Sequence, residues 1–198
     1  MTNKGNKDSS ENNEKLELIE FKKDLLNLVR VAADASGEVH EEKFFDDMSE
    51  LLCEAGVYDD IQKDPYINSR KGIRIDGWNW NKTERILSAV ITKFSNDQDL
   101  VTISKAEIEK LGKQASRFIS NINDNKFQDS LDASDPALEL AKEMSSYLKD
   151  LGIDGDEGFR PAAHKFRVIV LTDYLLSERI NLLKLKIENI HEKEAFFE

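Results

Sequence analysis

Cysteine is nearly absent from this chain. Cys53 stands alone, so no intrachain disulfide can form, and a reducing, cytoplasmic compartment is the expected setting. Lying on an apolar helix face, Cys53 reads as a small buried hydrophobe. No run of about 18 apolar residues occurs and no signal-peptide pattern opens the chain, which excludes a membrane helix and secretion by that route as expectations. Histidine is scarce as well: His40, His164 and His191 lie far apart and lack metal-ligand spacing. There is no Gly-rich phosphate loop, no Ser-His-Asp signature and no internal repeat. Positive charge is also short, with 28 Lys and Arg against 39 Asp and Glu and a net charge of −11. Such a surface repels phosphate backbones at long range. It argues against a general nucleic-acid binder and leaves room only for a local basic site.

What is present suffices for a folded core. The 198 residues are 39% apolar and include ten Phe, which fits one domain with short appendages. Residues 1–14 carry no apolar side chain after Met1 and are expected to be a disordered tail, with a single α/β domain over 15–198. A first helix is expected from about Glu14 to Asp34, its apolar stripe formed by Leu18, Phe21, Leu25, Leu28 and Ala32. A second is expected from about Glu41 to Ala55, with Phe44, Met48, Leu51 and Ala55 as its stripe, Phe45 and Leu52 beside it, and Gly56 closing it in a left-handed turn. Val57 to Lys71 reads as irregular, with Tyr58 and Tyr66 packing it down.

The stretch from Ile73 to Ser95 organises the rest. Ile73 to Trp80 alternates and holds both Trp residues, so it reads as a strand. Arg85 to Ser95 is almost wholly apolar at its centre and reads as a buried strand. The polar residues 81–84 read as the hairpin turn between them. A loop of about four residues places Ile86 opposite Asn81, Ala89 opposite Trp78 and Ile91 opposite Asp76. Strict alternation then puts Asp76, Trp78 and Trp80 on one face with Leu87, Ala89, Ile91 and Lys93. Asp76 and Lys93 would be neighbours there. Both Trp residues read as core or interface rather than as platforms for stacking bases.

Downstream, Ser104-x-x-Glu107 is a capping box that opens a helix with the stripe Ile108, Leu111, Ala115, Phe118, Ile119 and Ile122. Residues 123–134 are polar and turn-like. Asp135 and Pro136 open another helix, lined by Ala137, Ala141, Met144, Leu148 and Leu151. Gly152 to Pro161 is an acidic loop. Phe166 to Thr172 reads as a strand with its centre buried on both faces, and Asp173 at its end, where α/β sheets often place functional groups, reads as either such a group or a turn or cap residue. Ile180 to Ile190 fits strand or helix. The strand-like Ala195 to Glu198 stops without an end signal, which suggests a longer protein.

An acidic residue on one strand, followed after a hairpin by acid-x-Lys, is the pattern by which carboxylates hold Mg²⁺ against a phosphodiester while Lys helps activate water. Asp76 and Lys93 supply the first and last members as catalytic candidates. Ile91 occupies the middle position and cannot ligate a cation. A preceding helix can lend a carboxylate instead, which makes Glu50 and Glu54, with Asp76, the candidate metal ligands. The plainer reading of the two glutamates is a solvated acidic face.

Phe45–Gly56, Arg74–Gly77 (RIDG), Leu87–Ser95 (LSAVITKFS), Thr102–Lys110 and Val168–Ser177 together resemble the N-terminal region of the abortive-phage-infection resistance (AIPR) proteins, in the family's order and over about two-thirds of the chain. The resemblance implies a bacterial phage-defence protein of which this is the front domain. It also implies a restriction-endonuclease-like fold: a mixed sheet with a central β-hairpin, flanked by helices. Two functions follow as expectations. One is a degenerate nuclease-like scaffold serving assembly or recognition, with no cofactor. The other is a metal-dependent nuclease with a relocated carboxylate, which alone would call for Mg²⁺ or Mn²⁺. The expected partners are the C-terminal remainder of the same protein and further copies of the chain. Nucleic acid is left open and a membrane is not expected.

Overall fold

The computed structural model describes residues 5–122, 124–150, 165–176 and 196–197. Two helices come first, α1 (Gly5–Ser36) and α2 (His40–Glu54). α1 takes in polar residues upstream of Glu14 that the sequence reading left without structure. The hairpin region follows as four strands rather than two: β1 (Tyr66–Asn68), β2 (Ile73–Ile75), β3 (Gly77–Asn81) and β4 (Ile86–Lys93). Next come β5 (Thr102–Ile103), α3 (Lys105–Asn121), the short α4 (Asn125–Gln128) and α5 (Pro136–Asp150). The described chain ends with β6 (Lys165–Thr172), β7 (Leu175–Leu176) and β8 (Phe196–Phe197). The alternative readings of Ile180 to Ile190, the 152–161 loop and the side chains of Leu148 and Leu151 fall outside the described residues.

The architecture is mixed α and β, with an open mixed sheet in the order β3-β4-β6-β8. β3 pairs with β4 antiparallel, whereas β4–β6 and β6–β8 are parallel. A parallel pair needs a long crossover, and α3, α4 and α5 form it. The ribbon β1–β2 is antiparallel and the short pair β5–β7 is parallel.

Helices cover both faces of β4, and this explains why its residues are buried on both sides, Ser88 and Thr92 included. Leu87, Ala89 and Ile91 share one core with Phe118 and Ile119 of α3, Phe127 of α4 and Leu140 and Met144 of α5. Val90, with Ile169 and Leu171 of β6, faces a second core built from Val29 of α1 and Phe44 and Phe45 of α2. A strand buried on both sides has no polar face to show, so it reads as a continuous hydrophobic stretch.

Local signals place the helices. The Ser104 hydroxyl accepts from the Glu107 amide while the Glu107 carboxylate accepts from the Ser104 amide, so both halves of the expected capping box form. All six expected stripe residues of α3 are buried. The Asp135 carboxylate accepts from the Ala137 amide at 2.9 Å at the start of α5. Gly56 has φ +69° after α2, the left-handed closure expected of it.

α1 departs from expectation. Its buried stripe is Lys22, Leu26, Val29 and Ala33, while Phe21 is 65% and Leu28 66% exposed. Of the expected stripe, Leu18, Phe21 and Leu28 face solvent while Leu25 packs against the α2-side core, and a neighbouring stripe containing a lysine faces in. Leu51 of α2 also points outward, while Phe44 and Phe45 are buried against the sheet and Met48 and Leu52 pack beside them.

Candidate functional site

The hairpin register is the expected one from Asn81 opposite Ile86 down to Gly77 opposite Val90, with Trp78 against Ala89. It changes at Asp76. The Asp76 amide donates to the Val90 carbonyl at 2.8 Å, although Gly77 is already the partner of Val90. Two residues therefore stand against one, which is a β-bulge. The extra residue inverts the alternation upstream of it. Ile73 and Ile75 join the α3-side core together with Trp80, five residues beyond Ile75, a spacing that uninterrupted alternation forbids. Asp76 is turned to the opposite, α2-facing side. The expectation that Asp76 shares a face with Ile91 and Lys93 is thereby corrected.

On the α2 side, Asp76 enters a compact polar cluster. Its Oδ1 accepts from Arg74 Nε at 3.1 Å, and its Oδ2 accepts from Arg74 Nη2 at 3.1 Å and from the Thr92 amide at 2.6 Å. Arg74 Nη2 also reaches Glu41 at 3.2 Å, so one guanidinium bridges two carboxylates. The Asp76 side chain is 16% exposed and that of Arg74 28%. Burial by itself lowers the Arg74 pKa, but the adjoining Asp76 and Glu41 carboxylates outweigh it and hold the guanidinium above its ordinary value. The cluster opens on a cavity of about 290 Å³, lined also by Glu42, Phe45 and Lys63. Lys63 is paired with Asp46 at 2.7 Å.

The other candidate residues are elsewhere. Ile91 is fully buried in the α3-side core. Lys93 extends over the Tyr174 ring, 5.6 Å from its centroid, and forms no ion pair with Asp76. Glu50 and Glu54 are exposed, toward the C-terminal end of α2. The α2 carboxylates that reach the Asp76 cavity are Glu41 and Glu42, one helix end away from the two expected. Among the described residues no three His, Cys, Asp or Glu side chains are grouped so as to hold a metal ion. The donor set accords with this: the Asp76 and Glu41 carboxylates of the cluster already share a cation, Arg74. As arranged, the residues do not fit a metal.

A second buried polar cluster sits past the ends of β4 and β6. Asp173 has a wholly buried side chain and accepts from the Ser95 amide at 2.8 Å and from the Ser95 hydroxyl. Lys22 of α1 lies 3.5 Å from it and also donates to Ser95 Oγ at 3.3 Å and to the Asp99 carbonyl at 2.8 Å. Arg30 donates to Asn96 Oδ1 at 2.9 Å and to its carbonyl at 2.8 Å. This cluster straps α1 to the loop after β4. Cys53 is partly buried against the α2-side core, and burial pushes its thiol pKa up, as befits a packing residue.

Sequence reasoning missed Glu41, Thr92 and Lys22. The parity of Ile75 against Trp78, with Gly77 between, was the available signal for the bulge. A Cβ at Gly77 would lie 2.6 Å from the Phe45 ring and closer still to the Gln62 carbonyl, so the site admits only glycine. Nothing local distinguishes Lys22 from a solvated lysine, because its counter-ion lies 151 positions along the chain.

A family model described as the abortive infection phage resistance protein N-terminal domain matches residues 44–198. No curated protein and no solved structure matches the chain.

Proposed function

The chain belongs to the family of abortive infection phage resistance protein N-terminal domains, and from that premise we propose that it serves phage defence as a degenerate nuclease-like scaffold working through assembly or recognition. The mixed sheet, with its antiparallel hairpin, parallel neighbour and helices on both faces, supports a restriction-endonuclease-like reading of the fold. One observation carries the loss of catalysis: Arg74 occupies the space between Asp76 and Glu41. The middle position of the motif supports the same reading, since Ile91 lies in the opposite core. On this reading Asp76 is a fixed acceptor that ties the bulge to β4. The partners are the remainder of a longer protein and further copies of the chain, and the setting is cytoplasmic. Among the described residues no helix is long and apolar enough to cross a membrane.

A second reading is a live metal-dependent nuclease, favoured by the presence of Glu41 and Glu42 from α2 in the Asp76 cavity. It requires Arg74 to leave the carboxylates when metal and phosphate arrive. Cleavage of DNA and RNA by the full-length protein in Mg²⁺ and Mn²⁺ separates the two. The scaffold reading expects none above background. Cleavage that disappears in a folded Asp76→Asn variant establishes the nuclease.

A further inference from the structure

The chain is strongly acidic, yet one region of its surface collects cations that form no ion pair among the described residues. The inward side of α3 supplies the core with Ile108, Leu111, Ala115, Phe118 and Ile119. Its outward edge carries Lys110, Lys113 and Arg117, all exposed. The turn between β1 and β2 brings Gly72 to the same place, with Lys71 its chain neighbour. Arg117 Nη1 donates to the Gly72 carbonyl at 3.3 Å, and the Gly72 α-carbon, at φ +63°, packs directly under that guanidinium. Lys71 is held over the Phe127 ring, 4.8 Å from its centroid. Gly72, Lys110, Lys113 and Arg117 line a shared depression of about 510 Å³.

Among the described residues, Lys71, Lys110, Lys113 and Arg117 form no ion pair, although Glu107 lies close enough to Lys110 to feel its charge. The carboxylate on the lining, Glu109, lies 3.8 Å from Lys105. With a net charge of −11 there is no shortage of acids to pair these cations. Three cations on one depression, none in an ion pair among the described residues, create a local positive potential that an anionic ligand relieves.

We propose that the α3 edge and the β1–β2 turn form a binding surface for the phosphodiester backbone of nucleic acid. This gives the recognition half of the reading above its ligand class and rests on that reading. Spacing favours a repeating anion. With a helix rise of about 1.5 Å per residue, Lys110 to Arg117 spans about 10 Å, the axial length of roughly three phosphate steps along one strand. The patch offers no apolar side chain larger than Ala106. An amphipathic membrane helix needs large apolar residues to insert, and a protein interface is centred on aromatic or aliphatic anchors. α3 has committed all of its own to the core. The cations read backbone charge rather than base edges, so the surface is indifferent to sequence.

The test is fluorescence anisotropy of the full-length protein with labelled duplex DNA and single-stranded DNA and RNA, across about 50 to 300 mM salt, without divalent metal. Lys110→Gln/Lys113→Gln removes two phosphate contacts and no hydrogen bond of the fold. Lys15→Gln/Lys23→Gln on α1 makes the same change in net charge elsewhere. The patch variant is expected to lose about tenfold or more in affinity. Its log–log salt slope should fall by about 1.8 on duplex or about 1.4 on single strands, with the α1 variant binding as wild type. Equal losses in both variants, an unchanged slope, or binding only to vesicles containing anionic lipid or to an acidic peptide overturns the proposal. Cleavage is not read in this assay, so a live nuclease site would overturn the scaffold reading and leave the outcome here separately visible.

Discussion

Replacing Asp76 by alanine separates a structural from a catalytic carboxylate. The substitution removes the acceptor of the Thr92 amide, and Thr92 is 1% exposed, so its N–H has little water to turn to. An orphaned buried donor costs about 1–3 kcal/mol. The two bonds from Arg74 are lost as well, but Arg74 keeps Glu41 and some solvent contact, so this part adds only about 0.5–1 kcal/mol. A total near 3 kcal/mol corresponds to a fall in Tm of roughly 6–12 °C for a domain of this size. Asp76→Asn keeps an oxygen for the Thr92 amide and Arg74 Nη2 but sets an NH2 donor against Arg74 Nε–H in place of the other oxygen, so about 1–2 kcal/mol is expected. Urea denaturation of wild type, both single variants, Arg74→Met and Asp76→Ala/Arg74→Met closes a double-mutant cycle, in which the pair should couple by about 0.5–1 kcal/mol. If Asp76→Ala melts like wild type, Asp76 does not hold the bulge to β4 and the scaffold reasoning fails. If it also abolishes cleavage, the carboxylate is catalytic.

Gly77→Ala should destabilise by about 1–3 kcal/mol, because the added methyl runs into the Gln62 carbonyl and the Phe45 ring; a neutral result in denaturant melts would mean that β3 does not lie this close to α2. Lys22→Ala leaves the wholly buried Asp173 without its cation and should cost about 3–5 kcal/mol, and Lys22→Ala/Asp173→Ala should cost less than the sum of the two singles. Ile91→Glu puts a charge into the α3-side core and should prevent stable folding, with no rescue by Mn²⁺, since Asp76 lies across the sheet; a Mn²⁺-dependent rise in Tm would contradict the bulge. The bonds of Ser104 hold the Glu107 carboxyl below its ordinary value. Its contribution to α3 is therefore complete above the ordinary glutamate range and is lost as pH falls through the lowered folded-state value. Acid titration of Glu107→Gln against wild type, followed by circular dichroism, should show that limb of the pH profile flattened.

Wherever the signal was local, the sequence alone was sufficient. The capping box at Ser104, the Asp135-Pro136 start, the left-handed Gly56 and the apolar stripe of α3 each depend on residues a few positions apart. The hairpin register was legible for the same reason: loop length sets the pairing, and Asn81 meets Ile86 as the turn requires. β6 was visible because burial on two faces leaves only apolar residues. Tertiary structure decided the rest. Periodicity shows that α1 has an apolar stripe, but the docked stripe is the one carrying Lys22, since the buried Asp173 needs a cation and Ser95 and Asp99 add acceptors. The composition gives −11 as a sum, while the cations of α3 line a depression only when Gly72 of the β1–β2 turn folds against Arg117. The bulge decided the candidate site itself. A single extra residue against Val90 carried Asp76 from the face of Ile91 and Lys93 to that of Glu41 and Arg74, because side chains alternate with a period of two and one inserted residue reverses every assignment beyond it.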